Sequence, residues 1–234
     1  MRRILWLLLA LVGLLAAACG SDSYESASEG DVDGLAGRAP PVATVASTAT
    51  AEGSVGDLSD RLDEMTLDED DVPRGLTPLG DMTLDYDMNL LGVVGPQGGK
   101  AHMTTFAGPG QQEMVVSMVI LLDDPAAVEQ ALEQMEEMSL DQIQDALGMA
   151  GSFGGLKLLD SRVLDVSGLG EAAFGFALTA ELPQLGVGAG QWAFFGRGPL
   201  LAMAMTLSMG GSAPADAVPL AEAMDGKIRG LILQ

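Results

Sequence analysis

The sequence predicts an α+β fold: a mostly antiparallel sheet of about six strands with helices packed on it as a two-layer sandwich. Three observations carry this. The elements follow the order hairpin, helix, four strands, helix, and strands grouped with so few helical crossovers favour antiparallel pairing. Leu200–Met209 alternates with a two-residue period, placing Leu201, Met203, Met205, Leu207 and Met209 on one face and Ala202, Ala204, Thr206 and Ser208 on the other. A chain of 234 residues, 48% hydrophobic and 19% charged, is also large enough to bury a core.

The folded domain is expected over residues 57–234. It begins with Leu58, Leu62 and Met65 at helical spacing, and Thr66-x-x-Glu69 reads as a capping box for a short second helix that stops at Val72-Pro73. Residues 82–99 are ambiguous, with Gly95, Pro96, Gly98 and Gly99 arguing for a loop. Two apolar runs follow, 101–107 and 114–122, joined by Gly108-Pro109-Gly110 as a hairpin.

Asp124-Pro125 starts the best helix, with Asp as N-cap and Pro at the first helical position. Its inward stripe is Val128, Ala131, Leu132, Met135 and Met138, and Glu129, Glu133, Glu136 and Glu137 face water. Ser139-x-x-Gln142 caps a shorter helix over 140–147, and 148–155 is a glycine-rich loop. Strands are predicted over 156–166, Ala172–Leu182, 191–195 and Leu200–Met209. The bulky face of the last should meet a helix layer. Residues 216–231 close the chain as an amphipathic helix through Leu220, Met224, Ile228 and Leu231, weakened by Gly226.

Ahead of the domain stand two segments of other kinds. Residues 1–18 read as a signal peptide: Arg2-Arg3, then fifteen residues, 4–18, without a polar side chain. As a helix these would rise about 22 Å, short of the roughly 30 Å hydrocarbon core, so a cleaved signal fits better than a permanent span. Leu15-Ala16-Ala17-Ala18-Cys19 resembles the lipobox of bacterial lipoproteins, with Ala16 where leucine is most usual. That resemblance implies lipid attachment at Cys19, the only cysteine in the chain. Two or more acyl chains anchor a protein stably where one does not. From Cys19 to residue 56 the composition is that of a disordered acidic linker, too poor in large apolar residues to offset its ordering entropy. Its span is on the order of 35 Å.

Asp71-Val72-Pro73-Arg74-Gly75-Leu76, Gly168-Leu169-Gly170-Glu171-Ala172 and Phe194-Phe195-Gly196-Arg197-Gly198 resemble segments of secreted bacterial lipoprotein domains of uncharacterised function. The resemblance covers most of residues 67–232. In shape such domains are similar to PsbP/Mog1-type sandwiches, which implies an α+β sandwich and brings no catalytic residue.

Charge and counting exclude several functions. Thirty-three acidic residues against eleven Lys and Arg give a net charge of −22, which removes the electrostatic attraction behind nucleic-acid binding. Loss of Arg2 and Arg3 with the signal takes it to −24, so the domain itself is repelled by anionic headgroups and the lipid is the membrane contact. One Cys and one His rule out disulfide scaffolds, Cys-rich zinc sites and two-histidine metal sites.

The remaining motifs are weak. Asp85-x-Asp87-x-Asn89 begins like a calcium loop but has Leu90 and Pro96 where that loop needs Gly and Glu. Gly99-Lys100 lacks the first glycine and the magnesium-binding hydroxyl of a P-loop. Gly168-x-Gly170-x-x-Ala173 and Gly188-x-Gly190-x-x-Ala193 lead into strands rather than the helix a pyrophosphate needs, and read as turns. His102 lies in a strand with no nucleophile elbow to partner it, a structural or surface histidine. Met135-x-x-Met138 and Met203-x-Met205 are thioether pairs of the kind that binds copper(I), yet each sits on the apolar stripe of its own element, where methionine fills core gaps.

The expected function is therefore a non-catalytic binding or scaffolding role for a lipid-anchored extracytoplasmic domain, with no cofactor and no metal. The alternative is a carrier or sensor of an apolar small molecule or lipid, motivated by the Met-rich sheet face and the glycine-rich loops. An enzyme of unknown class is third.

Overall fold

Among the described residues seven strands form one sheet: β1 (Thr77–Asp87), β2 (Gly98–Ala107), β3 (Glu113–Leu122), β4 (Lys157–Val163), β5 (Ala172–Leu182), β6 (Gly186–Arg197) and β7 (Leu200–Met209). Every neighbouring pair is antiparallel, in the order β1-β2-β3-β7-β6-β5-β4. Two meanders, β1 to β3 and β4 to β7, thus join edge to edge through β3 and β7. This computed structural model describes residues 58–87, 98–137, 157–182, 186–210 and 212–233. The signal peptide, Cys19, the linker, the helix expected over 140–147 and the glycine-rich stretch 148–155 lie outside the described residues.

Helix α1 (Pro125–Glu137) leaves β3 and lies over β5 and β6, reaching β3 and β7. Asp124 caps it, its Oδ1 accepting from the Ala126 N–H at 2.9 Å. Val128, Ala131 and Leu132 are buried as expected, and Met135 is half-buried. Gly196 on β6 permits the close approach, since a Cβ there would stand 2.6 Å from Val128 Cγ1. Helix α2 (Ala217–Ile232) follows β7, capped by Asp216, whose Oδ1 accepts from the Val218 N–H. It buries Leu220, Met224 and Ile228 against β6 and β7.

The two helices lie on opposite faces, which corrects the expected two layers to three. On β7, Leu201, Met203 and Met205 join α1, Phe176, Trp192 and Phe194 in one core. Leu200, Ala202 and Ala204 join α2, Phe106, Val115 and Phe195 in the other. The small residues of β7 are the floor on which α2 rests. Bulk on that side comes from the helix stripe.

The strand count of about six is also corrected to seven. β1 was hidden because it is an edge strand with Pro78, an irregular register between Pro78 and Gly80, and Leu79 and Leu84 exposed, so it lacks the apolar alternation of a covered strand. Nor does a helix follow Thr66. A 3-10 turn at Asp63–Met65 ends there, and Thr66 Oγ1 donates back to the Asp63 carbonyl at 3.0 Å. Residues 69–71 form turns in place of the helix, with Asp68 Oδ1 accepting from the Asp70 N–H. β6 extends beyond the expected 191–195, so Gly188 and Gly190 lie within a strand and not in a turn. At Gly190 a Cβ would stand 2.5 Å from the Trp192 ring, which explains glycine there.

The segment ahead of β1 is part of the α2-side core through Leu62, Met65, Leu67 and Val72. Lys227 of α2 clamps it, its Nζ lying 2.7 Å from Asp68 Oδ2 and donating to the Thr66 carbonyl at 3.1 Å. A fragment starting at Asp57 should therefore melt as cooperatively as the mature chain. One starting at Thr77 loses four buried side chains at about 2 kcal/mol each and should lose its cooperative transition in calorimetry. Equal melting of the two fragments would show that residues 58–76 are not core. Among the described residues no helix is long and apolar enough to cross a membrane.

Candidate functional site

The described surface carries a groove of about 640 Å³ where β4 gives way to β5, bordered by the end of α1. The chain turns there on glycine: Gly168 (φ 92°) and Gly170 (φ 54°) take left-handed backbone, and a Cβ on Gly170 would meet the Gly196 carbonyl oxygen at 2.4 Å. Leu169 plugs into the α2-side core and fixes the loop to the sheet. Glu171 donates its backbone N–H to the Gly196 carbonyl and accepts from the Gly198 N–H at 3.2 Å. Asp165 and Ser167 form an Asx-type turn, the Ser167 N–H donating to Asp165 Oδ1 at 3.1 Å.

This leaves Glu136, Asp165 and Glu171 as exposed carboxylates around a half-buried Phe174. Hydrogen bonds from the Ser167 side chain and then its backbone N–H hold the Asp165 carboxyl below its ordinary pKa. General acid chemistry near neutral pH needs the opposite shift. The groove thus sets three carboxyl side chains beside Phe174.

The residues weighed in the sequence fall elsewhere. His102 is buried in β2, with Nδ1 2.8 Å from Thr83 Oγ1. Lys100 reaches Ser59 Oγ at 3.2 Å and Asp60 at 3.7 Å. Met203 and Met205 are buried in the α1-side core, while Met138 and Asn89 lie outside the described residues. Asp85 and Asp87 are at the end of β1. Gly168 and Gly170 do form a turn, into β5. Among the described residues no three His, Cys, Asp or Glu side chains gather as a metal-binding group. The groove itself was missed. Its only sequence signal is Asp165-Val166-Ser167-Gly168-Leu169-Gly170-Glu171, two acids bracketing two glycines between strands.

No family model and no curated protein matches the sequence. Among solved structures, the extracellular domain of PknH from Mycobacterium tuberculosis is similar with a TM-score of 0.44 and 11% identity, over 75% of this chain and 96% of that one. An uncharacterised protein from Mycobacterium smegmatis, an Rv0999 ortholog, is similar with a TM-score of 0.39 and 9% identity, over 77% of this chain and 100% of that one. With TM-scores below 0.5, neither likeness carries a property over to this chain.

Proposed function

We propose that this chain is a non-catalytic binding or scaffolding domain, held at the outside of the cell membrane by a lipid on Cys19. The observation that carries the reading is what four of the buried polar side chains do. Ser117 Oγ accepts from the Leu67 N–H, Gln191 Oε1 from the Ala217 N–H, Thr206 Oγ1 donates to the Ala215 carbonyl, and Asp225 takes two arginines. Each holds one element to another instead of facing a cleft. The groove is then the recognition surface, and its carboxylates beside Phe174 suit a partner segment with basic and apolar side chains. A carrier of an apolar molecule would need an enclosed apolar chamber of a few hundred cubic ångströms. The space between sheet and helices is occupied by Phe106 and Phe195 on one side and by Met205 and Trp192 on the other, which favours the binding role.

In cell fractionation, Cys19→Ser should leave the membrane or accumulate as an unprocessed precursor. Chemical cross-linking in the same cells should give a partner band for the parent chain that Glu136→Lys with Asp165→Lys loses. Unchanged fractionation and processing of Cys19→Ser would refute the anchor, and a cross-linking pattern unaltered by the charge reversal would refute the groove.

A further inference from the structure

Strand register lines up four methionines that are far apart in sequence. Met82 on β1 pairs with Met103 on β2, Met103 with Met118 on β3, and Met118 with Met203 on β7. Directly paired residues of antiparallel strands project to the same face with their Cα atoms about 4.5–5.5 Å apart, so the four methionines form one row on one face of the sheet. Met203, at the inner end, is buried in the α1-side core. Met82, Met103 and Met118 are half-buried, Met103 and Met118 pack against that core from the β2 and β3 side, and α1 lies mainly over β5 and β6.

Gap filling does not explain the pattern. The adjacent rows on this face are Leu84, Ala101, Ile120, Leu201 and, on the other side, Gly80, Thr105, Val116, Met205. Across β1, β2 and β3 neither contains a methionine. If the half-covered face merely called for a flexible apolar side chain, the neighbouring rows would be expected to use it as well. Methionine is instead concentrated in the one row where three of them fall on adjacent strands.

We propose that Met82, Met103 and Met118 form a three-thioether site for a soft monovalent cation, copper(I). Thioether sulfur selects copper(I) over hard divalent ions, and low-coordinate sulfur ligation suits it. Each methionine has three rotatable side-chain bonds, so the outer two can swing toward the central Met103 without moving the backbone. Ala101 and Thr105, the two residues flanking Met103 on its face, are smaller than methionine and are themselves buried. Partial burial keeps an entry path open while excluding most water from the ion. The net charge of −22 raises the local concentration of any cation. The site is separate from the groove and does not depend on the lipid anchor.

The test uses the full-length chain in detergent with Cys19→Ser as background, so that the cysteine sulfur cannot compete. Anaerobic titration with copper(I) against a chromophoric chelator should give one bound equivalent, and silver(I), its redox-inert analogue, should shift the ε-methyl NMR signals of Met82, Met103 and Met118. Met103→Leu should weaken copper(I) about tenfold or more, and the triple Leu variant should abolish uptake, as expected when soft ligands are withdrawn. Methionine and leucine have similar volumes, so melting should change little in either. Met135→Leu should leave binding intact. Copper(I) uptake that persists in the triple variant, absence of uptake by the parent, or silver shifts confined to other methionines would each overturn the site.

Discussion

Met205→Asp and Thr206→Asp are both expected to destabilise the domain by several kcal/mol, although the two side chains point in opposite directions. Met205 is fully buried between its cross-strand neighbours Val116 and Trp192, on the face that α1 covers. A carboxylate there has no hydrogen-bond partner and must be either desolvated or protonated. Thr206 is equally buried on the α2 face, where its Oγ1 donates to the Ala215 carbonyl at 2.7 Å. An ionised Asp has no proton to donate and would set its oxygens against that carbonyl. Losses of this size are a large part of the 5–15 kcal/mol that holds a typical domain together. Urea denaturation should place both variants well below the parent, with Met205→Leu within about 1.5 kcal/mol of it and Thr206→Val about 1 kcal/mol below. A change of about 0.5 kcal/mol or less for Thr206→Asp, the usual surface value, would mean that α2 does not cover this face and that the sheet has two layers.

The same two residues show where the sequence was legible. The alternation of β7 correctly separated two sets of side chains, the Asp124-Pro125 cap located the start of α1, and the amphipathic spacing over 216–231 located α2 to within a residue. What alternation could not convey is that a strand buried on both sides can use small residues on one of them. Ala202 and Ala204 read as weakly apolar, yet they are small because Leu220, Met224 and Ile228 of α2 supply the volume. β1 went unread for the complementary reason: at a sheet edge the pairing comes from β2, and the sequence of β1 need not announce it. Tertiary position outweighed local pattern in both cases. The groove and the methionine row lie beyond local pattern altogether. One depends on how a glycine turn docks through Leu169, the other on the register of four strands, one of which was not visible as a strand.

Asp225 carries the second large effect, and no sequence motif marks it. It lies on the α2 face turned toward the sheet, with its side chain fully buried, while Arg197 at the end of β6 is 19% exposed and Arg229 one helical turn on is 51% exposed. Arg197 donates through Nε and a terminal nitrogen at 2.6 and 3.1 Å, a two-point grip that pins α2 to the strand end, and Arg229 adds a further ion pair. Asp225→Ala leaves Arg197 without this carboxylate, and breaking a buried pair costs about 3–5 kcal/mol. The low end is expected, because both arginines keep access to water. Burial alone would raise the Asp225 pKa; hydrogen bonds from Arg197 and Arg229 and their charges outweigh it and hold the carboxyl below its ordinary value. A carboxyl with a lowered folded pKa contributes its full stabilisation above its unfolded value of about 3.9 and loses it as pH falls through the folded one. Asp225→Asn keeps the shape and cannot ionise. The stability gap between parent and Asn variant should thus be constant from pH 7 to about 5, then shrink below about pH 4. Asp68 and Asp165, also lowered, are present in both proteins and cancel in the difference. A gap that stays constant to pH 2, or that is absent at pH 7, would show that the ionised Asp225 is not what joins α2 to β6.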